Sequence, residues 1–305
     1  MLPVTASESS NSPWPVDWHL LGAGSMGTLA AWRLQQAGAR VHALHASLAS
    51  ITRTLAWPGG RQASLCLEVD HDGPVQALLL AVKTPDTVAA LAQWRSRLHD
   101  DVLVLRLQNG MGSVTPADLP ASARLYHLVT TDAAWRRGGH VQVVAENRTL
   151  AGDGSVLAPD WFHHLRPHWQ GLQWHTDIER AQWQKLVVNA VINPLTALYR
   201  CRNGELLDGG ERQQHMALLA AEADGCLARR YPDWPADTLV QCLRVARETA
   251  ANTSSMLADV LAGRDTEIHF INGALLALAA DVGMVLPHHH ALLTRVLQAP
   301  KVATP

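Results

Sequence analysis

The chain has 305 residues, 48% of them apolar and 17% charged, with a formal net charge of −2. That is long enough for two domains with sizeable cores and suits a globular protein, while the lack of a strongly basic run argues against a dedicated nucleic-acid binder. Four cysteines (Cys66, Cys201, Cys226, Cys242) without CxxC spacing argue against a disulfide framework or a zinc site and fit a reducing cytoplasm.

Residues 1–17, "MLPVTASESSNSPWPVD", have neither the basic start nor the apolar centre of a signal peptide and read as a flexible polar tail. No apolar run reaches membrane-spanning length, so no membrane association and a cytoplasmic location are expected. "WHLL" (18–21) is a short apolar strand running into "GAGSMG" (22–27). A helical pattern follows to Ala37, with Gly38 as its stop. "RVHAL" (40–44) and "SLCLEV" (64–69) read as strands, and "VQALLLAVK" (75–83) as a parallel strand buried on both faces. A helix over 84–98 and a strand over 101–108 come next, and three strand-like segments between 123 and 152 are expected to extend the sheet. From residue 177 the spacing is helical: 177–193, 211–230, 236–262 and 265–282. The expected fold is α/β: an N-terminal Rossmann-type doubly wound sheet over 18–176, then an all-helical domain over 177–305.

Gly22, Gly24 and Gly27 have GxGxxG spacing, follow a strand and open a helix, which is the setting a dinucleotide-binding loop requires. Gly22 permits the tight turn, Gly24 admits a pyrophosphate close to the backbone, and Gly27 lets helix and strand approach. Between Gly27 and Glu68 there is no Asp or Glu, whereas Arg40, His42, His45, Arg53 and Arg61 are present. That balance favours a 2′-phosphate, hence NADP(H), although no single cation is marked as its clamp. Lys83 ends a buried strand, where ligands of such sheets bind; it equally suits a lysine leaving the sheet for solvent.

Asn109-Gly110 ends the next strand and is also a common turn dipeptide. In "KLVVNAVINPLTAL" (185–198), Lys185, Asn189 and Asn193 follow each other at four-residue intervals and so share one helix face. Pro194 is expected to end or kink that helix. Asn203, Asn252, Ser255 and Glu267 complete a set of amides, a hydroxyl, a lysine and a carboxylate suited to a small polar substrate. Reduction of a ketone needs a hydride source, a proton donor at the oxygen and anchors for the rest of the molecule. "PHHH" (287–290) is no metal site, because adjacent histidines on a helix point apart; no metal is expected. No GxSxG elbow of a serine hydrolase follows any strand. Eleven tryptophans against two phenylalanines read as packing choices.

The segments "GAGSMG", "QNGMGS", "WQKLVVNAVINPLTALYRCRNGEL", "ANTSSMLADV" and "TEIHFINGALLALAADVGMVLP" occur in one order over about residues 18–287, and in them the chain resembles the ketopantoate reductase family. The resemblance implies NADPH-dependent reduction of 2-dehydropantoate to (R)-pantoate, on the route to pantothenate and coenzyme A, with cofactor and substrate in a cleft between the domains. It implies Lys185 as general acid, with Glu267 orienting substrate and lysine. Asn109 would lie between cofactor and substrate, and Asn189, Asn193, Asn203, Asn252 and Ser255 would bind substrate. Gly22, Ala23, Gly24, Ser25, Met26, Gly27, Lys83, Asn109 and Glu267 would contact the cofactor. The partner is a 2-keto acid, and the protein a monomer or homodimer. Two departures stand out: the arginine of many members after the second strand is replaced by His45 or Ala46, and a family histidine by Asp132, with Trp135 inserted nearby. A related reductase of another branched 2-keto acid, or a non-catalytic NADP-binding regulator, are the alternatives.

Overall fold

Strand-forming apolar runs and the glycine loop build the first of two units. The computed structural model describes residues 14–298. Contacts divide the chain into one unit of residues up to 81, 94–107 and 120–176, and a second of 82–93, 108–119 and 177 onward. Residues 1–13 of the expected tail lie outside the described residues. The remainder of it is no tail: Trp14 is buried, its ring 5.4 Å from that of Trp18, whose Nε1 donates to the Pro15 carbonyl.

The strands, numbered in chain order, are β1 (Asp17–Leu21), β2 (Arg40–Ala43), β3 (Ser50–Ala56), β4 (Gln62–Glu68), β5 (Val75–Leu80), β6 (Leu98–Arg106), β7 (Arg124–Thr130), β8 (Ala133–Arg137), β9 (His140–Ala145), β10 (Thr149–Gly152) and β11 (Leu172–Trp174). Seven form one sheet in the order β11-β10-β7-β6-β5-β1-β2. Its pairs are parallel except β10 against β7. The run "VQALLL" is buried at every position but Gln76, as a strand covered on both faces must be. The glycine loop leaves β1 at Gly22 and opens α1 (Ser25–Gln36).

Of the three segments expected between 123 and 152 to extend this sheet, β7 and β10 do so and β9 does not. β3, β4, β8 and β9 form a separate four-stranded sheet in the order β4-β3-β9-β8, and β3 and β8 were not foreseen. Its strands alternate as one-faced sheets do: Ile51 and Leu55, Leu65 and Leu67, Val141 and Val143 are buried. β8 and β9 pack on α1. The tryptophans are mostly packing: Trp14, Trp18, Trp57, Trp161 and Trp169 lie in the first unit's core.

In the second unit the long central helix α4 (Ile178–Tyr199) is surrounded by α5 (Gly210–Arg230), α6 (Thr238–Glu248), α7 (Ser255–Leu261), α8 (Ile268–Asp281) and α9 (Pro287–Gln298); α2 (Thr87–Trp94) and α3 (Asp160–Leu165) are the short helices before them. Asp177 caps α4 by accepting from the Arg180 amide. The helix does not stop at Asn193 but runs through Pro194 to Tyr199. A proline leaves the carbonyl four residues earlier without its usual donor. Here that carbonyl, of Ala190, accepts from the Asn272 side chain at 2.9 Å, which offsets the loss. The single helix expected over 236–262 is two, broken at 249–254, where Ser254 caps α7 by accepting from the Leu257 amide. No described helix is long and apolar enough to cross a membrane.

Candidate active site

The glycine loop has the geometry that its spacing predicts. Gly22 has φ 110°, in the region that favours glycine. A Cβ on Gly27 would stand 2.0 Å from the Gly22 carbonyl oxygen, so helix and loop touch only because residue 27 is glycine. A Cβ on Gly24 would meet nothing within 4 Å, and no side chain caps α1. An open, side-chain-free cradle against a helix N-terminus fits a dinucleotide pyrophosphate. Asp132, standing where the family has histidine, is buried and ion-paired at 2.6 Å to Arg33 of α1. Glu146 holds the same guanidinium at 2.8 Å. This departure ties α1 to the second sheet.

The second unit gathers the other polar residues into two groups. In the first, Lys185 Nζ donates to Asn109 Oδ1 at 2.8 Å, and Asn109 Nδ2 donates to Glu267 Oε2 at 3.3 Å. Glu267, only 9% exposed at the start of α8, also accepts from the Thr84 hydroxyl at 2.8 Å and the Thr84 amide at 3.3 Å. The chain Lys185–Asn109–Glu267–Thr84 therefore joins residues 183 positions apart. Glu267 reaches the lysine through Asn109. Lys83 is not simply leaving a strand for solvent: its Nζ is bonded to the buried Asp259, which also takes Arg264 at 2.9 Å.

Two devices hold Asn109 in place. Gly110 has φ 73°, and its added Cβ would lie 2.5 Å from the Phe270 carbonyl oxygen; the next amide, Met111, donates to that oxygen at 2.8 Å. Asn-Gly is thus a turn that also carries the amide bridging Lys185 and Glu267. Before it, Gln108 donates to the Val82 carbonyl at 2.7 Å and the Thr87 hydroxyl at 2.6 Å, and accepts from Ser113 at 3.0 Å. Gln108 clamps the loop carrying Lys83 and Thr84 to the loop carrying Asn109.

Asn189 and Asn193 follow Lys185 along α4, half-buried, and neither side-chain amide has a hydrogen-bond partner among the described residues. Asn203 and Asn252 form the second group, with Ser255 three residues beyond Asn252. Asn203 is buried: its amide donates to the Asn252 carbonyl and its Nδ2 to Thr249, while its Oδ1 is buried without a partner. Asn252 and Ser255 are exposed, and Ser254, not Ser255, makes the cap. Sequence reasoning missed Thr84, Gln108 and Asp259. Thr84-Pro85 read as a helix start, and the other two lay inside quoted segments with nothing in their spacing to mark them. Of "PHHH", His289 is buried on Asn272 (3.1 Å) and the Leu219 carbonyl (3.0 Å), a structural role.

Two family profiles match this chain: "Ketopantoate reductase PanE/ApbA" over residues 18–155 and "Ketopantoate reductase PanE/ApbA C terminal" over 177–299. The chain belongs to the ketopantoate reductase family. It is accordingly an oxidoreductase acting on CH–OH groups. A 2-dehydropantoate 2-reductase of Yersinia pestis is 37% identical over 222 residues, covering 71% of this chain and 72% of that one. Among solved structures, a PanE/ApbA family ketopantoate reductase from Ralstonia eutropha matches with TM-score 0.81 at 21% identity, covering 92% of this chain and 97% of that one. A D-mandelate dehydrogenase solved with NADH and anilino(oxo)acetate matches with TM-score 0.80 at 20% identity and the same coverages. At such identities the structural likeness establishes the fold alone.

Proposed function

We propose that this reductase converts 2-dehydropantoate to (R)-pantoate with NADPH, serving pantothenate and coenzyme A synthesis. The Lys185–Asn109–Glu267 chain carries the reading. It presents an ammonium held through an amide to a carboxylate, on the helix that also bears two half-buried amides without partners. A polar side chain left without a partner in a half-buried place costs stability, and a ligand that pairs with it removes the cost.

Residues 18–176 serve as the NADP-binding domain, with Gly22, Ala23, Gly24, Ser25, Met26 and Gly27 as the pyrophosphate cradle; residues 177–305 serve as the substrate domain. Lys83, Asn109 and Glu267 contact the dinucleotide, whose one chemical contribution when bound is the hydride. Lys185 protonates the ketone oxygen as it gains negative charge, so C=O becomes CH–OH with one hydride and one proton added. Asn109 keeps the ammonium aimed, because its oxygen faces Lys185 while its NH2 is engaged by Glu267. Asn189 and Asn193 bind the substrate's polar groups one and two turns further along α4, with Asn203, Asn252 and Ser255 as further contacts. The protein acts in the cytoplasm as a monomer or homodimer.

Steady-state oxidation of NADPH with ketopantoate, beside unbranched 2-keto acids, tests the reading. A kcat/KM for ketopantoate at least ~100-fold above the others is expected, the scale of several lost polar contacts. Comparable values on all would sink the substrate assignment, and nucleotide binding without turnover would point to a regulator.

A further inference from the structure

The proposed use of NADP(H) leaves open what meets the 2′-phosphate, and this inference rests on that reading. The structure disposes of most cations between Gly27 and Glu68. Arg40 is bonded to Asp17 through two nitrogens at 2.6 Å, and His42 lies 3.6 Å from the same carboxylate. Arg61 pairs with Glu146 at 3.3 Å and stacks 3.9 Å over the Trp57 ring. His45 stands where the family arginine is missing, and its Nδ1 accepts from the amides of Ser47 and Leu48 at 3.2 and 3.3 Å. Those two bonds tie that ring nitrogen into its own turn.

Arg53 is left. No described carboxylate pairs with it; its Nε is buried without a partner, and its one hydrogen bond goes to the Thr52 carbonyl at 3.0 Å. It lies on β3, which starts beside the carboxyl end of β2: the Asp70 amide donates to Ala43 and the Val69 amide to Ala49. That end of the second strand is where dinucleotide folds read the ribose. A second unpaired guanidinium shares its face. Leu55 pairs with Val141 and Val141 with Arg136, and Arg53 is two residues from Leu55, so Arg53 and Arg136 point to the same side. Between them lies β9, preceded by Gly139, where an added Cβ would meet only the Thr52 carbonyl oxygen, at 3.8 Å. Arg136 makes one hydrogen bond, to the Gly138 carbonyl at 2.8 Å, and no described ion pair. Burial and the charge of Arg136 both pull the Arg53 pKa down, the mark of a cation pair without its counter-ion.

We propose that Arg53 and Arg136 form the anion site that reads the 2′-phosphate of the dinucleotide, replacing the arginine that other members carry after the second strand. Two guanidiniums flanking a gap without a side chain suit a phosphate dianion, which takes charge-assisted bonds from both.

Calorimetric binding of 2′-phospho-AMP and of AMP to the full chain tests this without turnover. Arg53→Ala should weaken 2′-phospho-AMP about ten-fold or more, the loss of one charge-assisted bond, with AMP changed less than about two-fold. Arg136→Ala, at an exposed position, should act in the same direction, and Arg53→Lys should fall between, keeping the charge without the fork. The kcat/KM ratio of NADPH to NADH should fall in parallel. Equal weakening of both nucleotides would place the arginines on another phosphate and overturn the proposal, as would no change in either. Failure of the unaltered protein to bind either nucleotide would instead remove the NADP reading itself.

Discussion

Each unit holds a polar cluster on a helix, and the two are built differently. On α1, Arg33 is 1% exposed and meets two carboxylates, Asp132 and Glu146, and Glu146 meets Arg61; each charge is answered from within the fold. On α4 and α8, the Lys185–Asn109–Glu267 chain runs beside two half-buried amides that nothing in the described protein answers. The first cluster is complete without a ligand and holds a helix to a sheet. The second leaves two amides open, and it is there that we place the substrate. Burial of charge alone therefore does not mark a site.

That contrast predicts opposite losses. Lys185→Ala should lower kcat by ~10²–10⁴, the usual worth of a positioned proton donor, with an unchanged circular dichroism spectrum. A full reduction rate in this variant would end the mechanism. Arg33→Met should do the reverse and destabilise the first unit by about 3–5 kcal/mol, because two carboxylates stay behind, one of them fully buried. Denaturant melts read that loss, and a change under about 1 kcal/mol would show that the network is not what anchors α1.

Protonation should affect both units alike. Burial pushes His127 in the first and His289 in the second down to about 4. Each binds its proton more readily when unfolded, so stability is held above the unfolded value near 6.5 and falls as pH drops from there toward 4. At pH 5 the loss is on the order of 2 kcal/mol for each histidine, and thermal melts across that window should show a falling Tm. A flat profile would mean that neither ring stays neutral on folding. The smallest effect is expected at Glu267→Gln. It keeps an acceptor for Asn109 but removes the charge, and should cost about ten-fold in kcat with little change in KM, by loosening the lysine's aim. A loss confined to KM would assign Glu267 to substrate binding instead.

The sequence by itself determined the dinucleotide loop, the parallel sheet, the change to helices near residue 177 and the stripe Lys185–Asn189–Asn193, since each is a local pattern of period two or 3.6 or a fixed glycine spacing. Its local rules failed where a distant group intervened. Pro194 ends a helix by any local rule, but Asn272, 82 residues from Ala190, takes the orphaned carbonyl and the helix continues. The strands between 123 and 152 carry the right pattern, yet a pattern does not say which sheet a strand joins. That needed β3 as a partner for β9 and α1 packed on β8 and β9. Glu267 stood out in the sequence as a candidate carboxylate, but not that Asn109 stands between it and the lysine. Nor was it legible that Asp259 would claim Lys83, or that Arg40 and Arg61 would be spent on Asp17 and Glu146 while Arg53 was not. Which charges end up paired is decided by contacts across tens to hundreds of residues, because Coulombic and hydrogen-bond energies depend on distances in space that no spacing along the chain encodes.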